Sequence, residues 1–182
     1  MSMAYWCRIL YYYEAICQVI PGESNMISEI MEHQTLEMNN VLHYHGWVTQ
    51  QQANEVFVKA EELMNKCQAK KNGYVVTATR AVEMKDGQAM MDLDVFIPLD
   101  KEIETRDGFD FIKRSKIENA LKIRIEGELQ QAETAMQKLN DYIISHSLTP
   151  TTPACMVTVK GATTPLELNN MITDIYVGVM NN

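Results

Sequence analysis

The chain has 182 residues, 46% of them hydrophobic, enough to bury a sizeable core as one domain or as two small fused halves. Its formal charge of -8, from 24 acidic and 16 basic residues, repels phosphate backbones and argues against nucleic acid as a partner. No run approaches the roughly 18 apolar residues a membrane span needs, and the first stretch carries Arg8, Glu14 and Gln18 without a clear cleavage motif, so a cytoplasmic protein without a membrane partner is expected.

Residues 1–33 form an N-terminal extension, aromatic through Tyr5, Trp6, Tyr11, Tyr12 and Tyr13, with Ser24 or Asn25 as a possible helix cap. It reads as an extra strand or helix, or as an extension with no role. Cys7, Cys17, Cys67 and Cys155 show no C-x-x-C spacing, so reduced structural thiols are expected.

The stretch NNVLHYHGWV at 39–48 has strand character over residues 40–47. His43 and His45 share one strand face, a spacing that can place two imidazoles on one metal, but no third ligand accompanies them; neither metal nor cofactor is expected. From Gln50 to Cys67, Ala53, Val56, Phe57, Ala60, Leu63, Met64 and Cys67 follow the three-and-four spacing of one helical stripe. After the turn signal KKNG at 70–73 come GYVVTATRAVEM and QAMMDLDVFIPL, two strands joined as a hairpin through Lys85, Asp86 and Gly87. The charged segment 101–108 then divides the chain.

Seventy-nine positions after NNVLHYHGWV the chain reads ENALKIRIEG, where Leu121, Ile123 and Ile125 alternate with Lys122, Arg124 and Glu126 as in a half-buried strand. The same offset maps the first helical stripe onto Ala132, Ala135, Met136, Leu139, Tyr142 and Ile143, and departs only at His146. A turn signal at 147–153 and two further strands, PACMVTVKG and MITDIYVGVM joined through TTPLELNN, complete the second half. The expected fold is α+β: a duplicated strand-helix-strand-strand repeat (34–100 and 109–182) whose antiparallel sheet carries the helices on one face and leaves the other free.

The strand ends Asp94-Val95-Phe96-Ile97-Pro98 and Asp174-Ile175-Tyr176-Val177-Gly178, each following its helix, resemble the closing motif of the gyrase-inhibitor-like (GyrI-like) effector-binding domain family. The resemblance covers about residues 38–180. It implies a hydrophobic, often cationic, small-molecule ligand in a cleft between the repeats. A buried glutamate near the last strand meets the ligand's charge in that family, and Asp174, shorter by one methylene, holds the comparable place here. No basic helix-turn-helix segment is present, so the resemblance implies a stand-alone member.

Alternation puts Asp94 and Phe96 on one strand face and Asp174 and Tyr176 on another, each a carboxylate beside an aromatic. Such pairs either receive a cation or line a solvated sheet face or dimer contact. Trp47 either covers the cleft mouth or packs a sheet corner, and its repeat partner is Glu126. The candidate ligand residues are therefore Asp174, Tyr176, Asp94, Phe96, Trp47 and Glu126. No phosphate-loop, zinc-protease or serine-hydrolase motif occurs, and a non-enzymatic binder of a small hydrophobic or cationic molecule is expected. Two alternatives stand beside it. Resemblance to stand-alone proteins found beside bacterial type VII secretion toxin genes implies a protein-interaction accessory. Resemblance to relatives that hydrolyse small molecules would put Glu126, Asp174 and Tyr176 to acid–base work. Nothing in the sequence fixes an oligomeric state.

Overall fold

A computed structural model describes residues 26–127, 131–162 and 170–181. In chain order the elements are β1 (Met26–Ile27), β2 (Met31–Val48), α1 (Gln50–Lys66), β3 (Val76–Lys85), β4 (Gln88–Pro98), β5 (Phe109–Glu126), α2 (Ala132–Ser145), β6 (Leu148–Pro150), β7 (Cys155–Lys160) and β8 (Ile172–Asn181). The aromatic N-terminal stretch, Cys7, Cys17, the cap at Ser24 or Asn25 and most of TTPLELNN lie outside the described residues.

Two compact units emerge: Glu37–Lys116 forms one, and Ile117–Asn182 with the segment ending at Leu36 forms the other. The division therefore runs through β2 and β5 rather than through the charged segment 101–108. Both strands are 18 residues long, well beyond the stretches that alternation marks at 40–47 and 117–126. The opening portion of β2 is largely exposed, so hydrophobic periodicity is weak there, whereas β5 opens on Phe109, which is buried, and Phe111, which packs on the same core. Both strands take a left-handed asparagine at matching places, Asn40 at φ 51° and Asn119 at φ 50°, and β2 has a second left-handed residue at His33, φ 54°. Asparagine tolerates that conformation better than other side chains because its short amide finds local partners.

In the Glu37–Lys116 unit, β4 pairs antiparallel with β2 (Val41↔Pro98 to Val48↔Met91) and with β3. The β3–β4 turn is two residues, Asp86 and Gly87, both at positive φ, the geometry that matches strand twist. Helix α1 opens with a reciprocal cap: Thr49 Oγ1 accepts from Gln52 N–H, and Gln52 Oε1 accepts from Thr49 N–H. It buries Ala53, Val56, Ala60 and Leu63 in a cluster with Leu42, Val48, Leu93, Val95 and Ile97. Full burial of Val56 or Leu63 is worth about 1.5–3 kcal/mol each. Phe57, expected in the stripe, stands at its flank and is exposed.

In the second unit β8 pairs antiparallel with β5 (Ala120↔Gly178 to Glu126↔Ile172) and with β7. The two-residue β1 pairs with the end of β5, placing part of the N-terminal extension in this sheet. Helix α2 buries Ala132, Ala135, Leu139 and Ile143 against Leu121, Ile123, Ile125, Ile175, Val177 and Val179. His146 is its exposed C-cap, which explains why it breaks the stripe. The segment expected as a plain turn contains a short strand, β6, pairing Leu148–Pro150 with the end of β8. That closure rests on Gly178, whose N–H donates to Thr152 Oγ1 at 2.9 Å and whose carbonyl accepts from Thr151 N–H at 2.7 Å.

A Cβ at Gly178 would stand 2.8 Å from both Ile117 Cγ2 and Thr151 Oγ1. Gly178→Ala is therefore expected to destabilise the protein by about 1–3 kcal/mol through overpacking, read as a lower urea midpoint with unchanged slope.

Candidate functional site

The sheet face turned away from each helix, expected to be free, carries exposed side chains such as His45 and Trp47 around a buried carboxylate in the Glu37–Lys116 unit. Asp94 and Asp174 are only 1% and 3% exposed and, with Thr173, are the buried polar residues of the described chain. Strand register explains how they come to be surrounded. In the Glu37–Lys116 unit the pairings set His43, Phe96 and Val76 in one row, His45, Asp94 and Ala78 in the next, and Trp47, Asp92 and Ala81 in a third. In the second unit the rows read Lys122, Tyr176, Cys155; Arg124, Asp174, Val157; and Glu126, Ile172, Lys160.

A buried carboxylate requires compensation, because burial alone would cost several kcal/mol per ion. Asp174 receives it from its neighbour strand. Arg124 donates through Nε to Oδ1 at 2.6 Å and through Nη2 to Oδ2 at 2.9 Å, a two-pronged contact. Lys122 Nζ stands 2.8 Å from Oδ2 and 5.4 Å from the Tyr176 ring centroid, within cation–π range. Burial pushes the Asp174 carboxyl up, but the hydrogen bonds and charges of Arg124 and Lys122 outweigh it and hold the group below the usual carboxylate range. The same pairing raises the Arg124 guanidinium.

Asp94 is compensated differently, because the corresponding positions of β2 are histidines. His43 Nε2 lies 2.9 Å and His45 Nδ1 3.1 Å from Asp94 Oδ1. The permanent cation comes from β3, where the register shifts between Thr79 and Ala81 and leaves Arg80 as the extra residue of a bulge. Arg80 Nε donates to Asp94 Oδ2 at 2.5 Å, while half of the Arg80 side chain stays in solvent. Here too burial raises the carboxyl, and the hydrogen bonds from His43 and Arg80 with the Arg80 charge bring it below the ordinary range. The His43 ring stacks on Phe96 at 4.5 Å.

The six residues marked in the sequence thus divide between the units: Asp94, Phe96 and Trp47 in one, Asp174, Tyr176 and Glu126 in the other. Glu126 is exposed at the end of β5, with its charge acting on Arg124. Trp47 is 43% exposed and lies across from Asp92 in register. Asp92 did not figure among the expected residues, yet its Oδ1 is sealed from solvent and has no hydrogen-bond partner among the described residues, with His45 Nε2 3.5 Å away. Arg80, Lys122 and Arg124 were also missed as carboxylate partners. The alternation of Lys122 and Arg124 along β5 carried the signal, but the bulge that aims Arg80 has no sequence mark.

Among solved structures, the C-terminal domain of EcmrR superposes with a TM-score of 0.65 at 13% identity, over 87% of this chain and 99% of that one. The fold is similar to that of the EcmrR C-terminal domain. It agrees with the GyrI-like architecture expected from the closing motifs: a mostly antiparallel sheet with two helices. EcmrR in its DNA complex gives 0.66 at 12% identity over 97% of this chain, which spans 64% of that longer one. A hydrolase from Listeria innocua gives 0.51 at 10% identity, over 84% of this chain and 91% of that one. At these identities the likeness carries the fold alone. No protein-family model matches the chain, and no curated protein matches it in sequence. Among the described residues, no helix is long and apolar enough to cross a membrane.

Replacing Asp174 by Asn leaves two cations facing a neutral amide and is expected to cost about 3 kcal/mol at pH 7. Because the folded carboxyl is depressed, its contribution is full above the unfolded pKa of about 3.9 and is lost as pH falls through the folded value. Thermal midpoints measured from pH 7 down to pH 2.5 should therefore fall less steeply below about pH 4 for Asp174→Asn than for wild type.

Proposed function

We propose that the chain is a non-enzymatic binder of a small, partly hydrophobic molecule, seated on the aromatic-acidic face of the Glu37–Lys116 unit. The observation that carries this reading is an exposed tryptophan across from a carboxylate whose Oδ1 has no hydrogen-bond partner among the described residues: Trp47 opposite Asp92. An aromatic ring beside a carboxylate suits a desolvated cation. The His43–Phe96 stack extends the apolar surface in the same face. Asp174 is held by two permanent cations, Lys122 and Arg124, whereas among the described residues the neighbouring carboxylates Asp92 and Asp94 meet one, Arg80, so the face of the Glu37–Lys116 unit is the better place for an incoming positive charge. Asp174 and Tyr176 then serve the architecture of their own unit, and Glu126 contributes no more than surface charge there.

The similarity to the EcmrR C-terminal domain supports the reading at the level of fold. We further infer that the two units descend from one duplicated motif. Supporting this are the left-handed residues Asn40 and Asn119, the helix-ending left-handed residues Gln68 and Ser147, and bulges between Thr79/Ala81 and Thr158/Lys160. Each pair is separated by the same 79 positions.

The test is a fluorescence titration in a Trp6→Phe background, so that Trp47 is the only tryptophan reporting. Benzamidine, a flat aromatic cation, is compared with benzamide, its neutral analogue. Quenching by benzamidine with about tenfold weaker affinity in Asp92→Asn, equal to 1.4 kcal/mol, is expected. Absence of any Trp47 response to either probe would sink the reading.

A further inference from the structure

The two buried carboxylates hold their cations by unlike means. At Asp174 both cations come from regular positions of one paired strand, and three nitrogen contacts fix them: two from the Arg124 fork and one from Lys122, itself largely buried. At Asp94 the permanent cation among the described residues is Arg80, carried on the extra residue of a bulge, with its Nε on the carboxylate and half of its side chain exposed. At the matching place of the other unit's bulge the chain has Val159, which can contribute no charge. Asp94 Oδ1 is shared by two histidines, so Oδ2 is the acceptor that Arg80 occupies.

We propose that Arg80 is a resident stand-in for the ligand's cation: a guanidinium, amidinium or primary ammonium group displaces it from Asp94 Oδ2 while Arg80 swings to solvent. The inference rests on the ligand-binding reading above and names the chemical class of the ligand's charged end. Exchange of one cation for another never leaves the buried carboxylate bare, so the step avoids the penalty that an empty site would carry. Because Arg80 already has half of its side chain in water, its release restores hydration to a group only partly stripped of it. Oδ2 accepts an N–H at close range, and a quaternary ammonium, lacking N–H, leaves that acceptor unsatisfied. Arg80 also acts as a tethered competitor, lowering apparent affinity in proportion to the fraction of time it occupies the site.

The comparison is wild type, Arg80→Met, which keeps the aliphatic stem, and Arg80→Lys, which keeps a donor cation, each titrated with benzamidine and with benzyltrimethylammonium. Removing the competitor is expected to tighten benzamidine at least about tenfold in Arg80→Met, with Arg80→Lys close to wild type and no comparable gain for the quaternary probe. Equal or weaker benzamidine binding in Arg80→Met, or an equal gain for both probes, overturns the exchange. Should Arg80→Met fold too poorly to titrate, methylguanidinium is expected to raise its thermal midpoint by more than that of wild type, where Arg80 competes; no rise, or an equal rise in both, overturns the proposal. Methylguanidinium has no ring to place on Trp47. A silent Trp47 with a positive rescue therefore counts against the aromatic site alone, and a responsive Trp47 with no Arg80 effect counts against the exchange alone.

Discussion

A carboxylate buried in a sheet must be matched by positive charge, and each unit of this protein is arranged around one such obligation. In the second unit, Lys122 and Arg124 alternate with Leu121, Ile123 and Ile125, so one face of β5 supplies the charge and the other supplies the core. In the Glu37–Lys116 unit histidines stand at the equivalent places, and a bulge in β3 brings Arg80 to the acid instead. The same constraint is thus met once by regular strand periodicity and once by a local break in it. Removing either acid would do more than delete a contact, because the partner cations would be left in partly desolvated positions.

Much of the architecture was legible because it depends on periodic burial. The stripe containing Ala53, Val56, Ala60 and Leu63 located α1, and its displaced copy located α2, since both patterns answer to the same 3.6-residue repeat. Asp86-Gly87 marked the hairpin because few residue pairs accept two successive positive φ values. Features set by backbone pairing rather than by side-chain burial were silent. The opening half of β2 is largely exposed, and β6 is held by pairing with β8 from a segment rich in turn formers.

Around the candidate site the strand faces were legible, and the charge pairing across strands was not. Alternation placed Asp94 with Phe96 and Asp174 with Tyr176, and the registers keep those neighbours on shared faces. What a linear sequence does not convey is which charges lie across a strand boundary. Arg80 is fourteen residues from Asp94 and Arg124 is fifty from Asp174, so each pairing exists only once the register is fixed. Asp92 escaped notice for a related reason: its sealed oxygen reflects what surrounds it in space, and DLD in the sequence reads like any other polar strand segment.

The tip of the β3–β4 hairpin offers practical access to this arrangement. A side-chain atom added at Gly87 would meet nothing within 4 Å, although its positive φ argues for attaching groups at a neighbouring residue such as Lys85 or Gln88 rather than substituting the glycine. Arg80 and Asp94 both belong to the two strands this turn connects. A spectroscopic label fixed there would ride on the ribbon that contains the bulge, and changes in its rotational freedom would register local loosening without a foreign group entering the charged row.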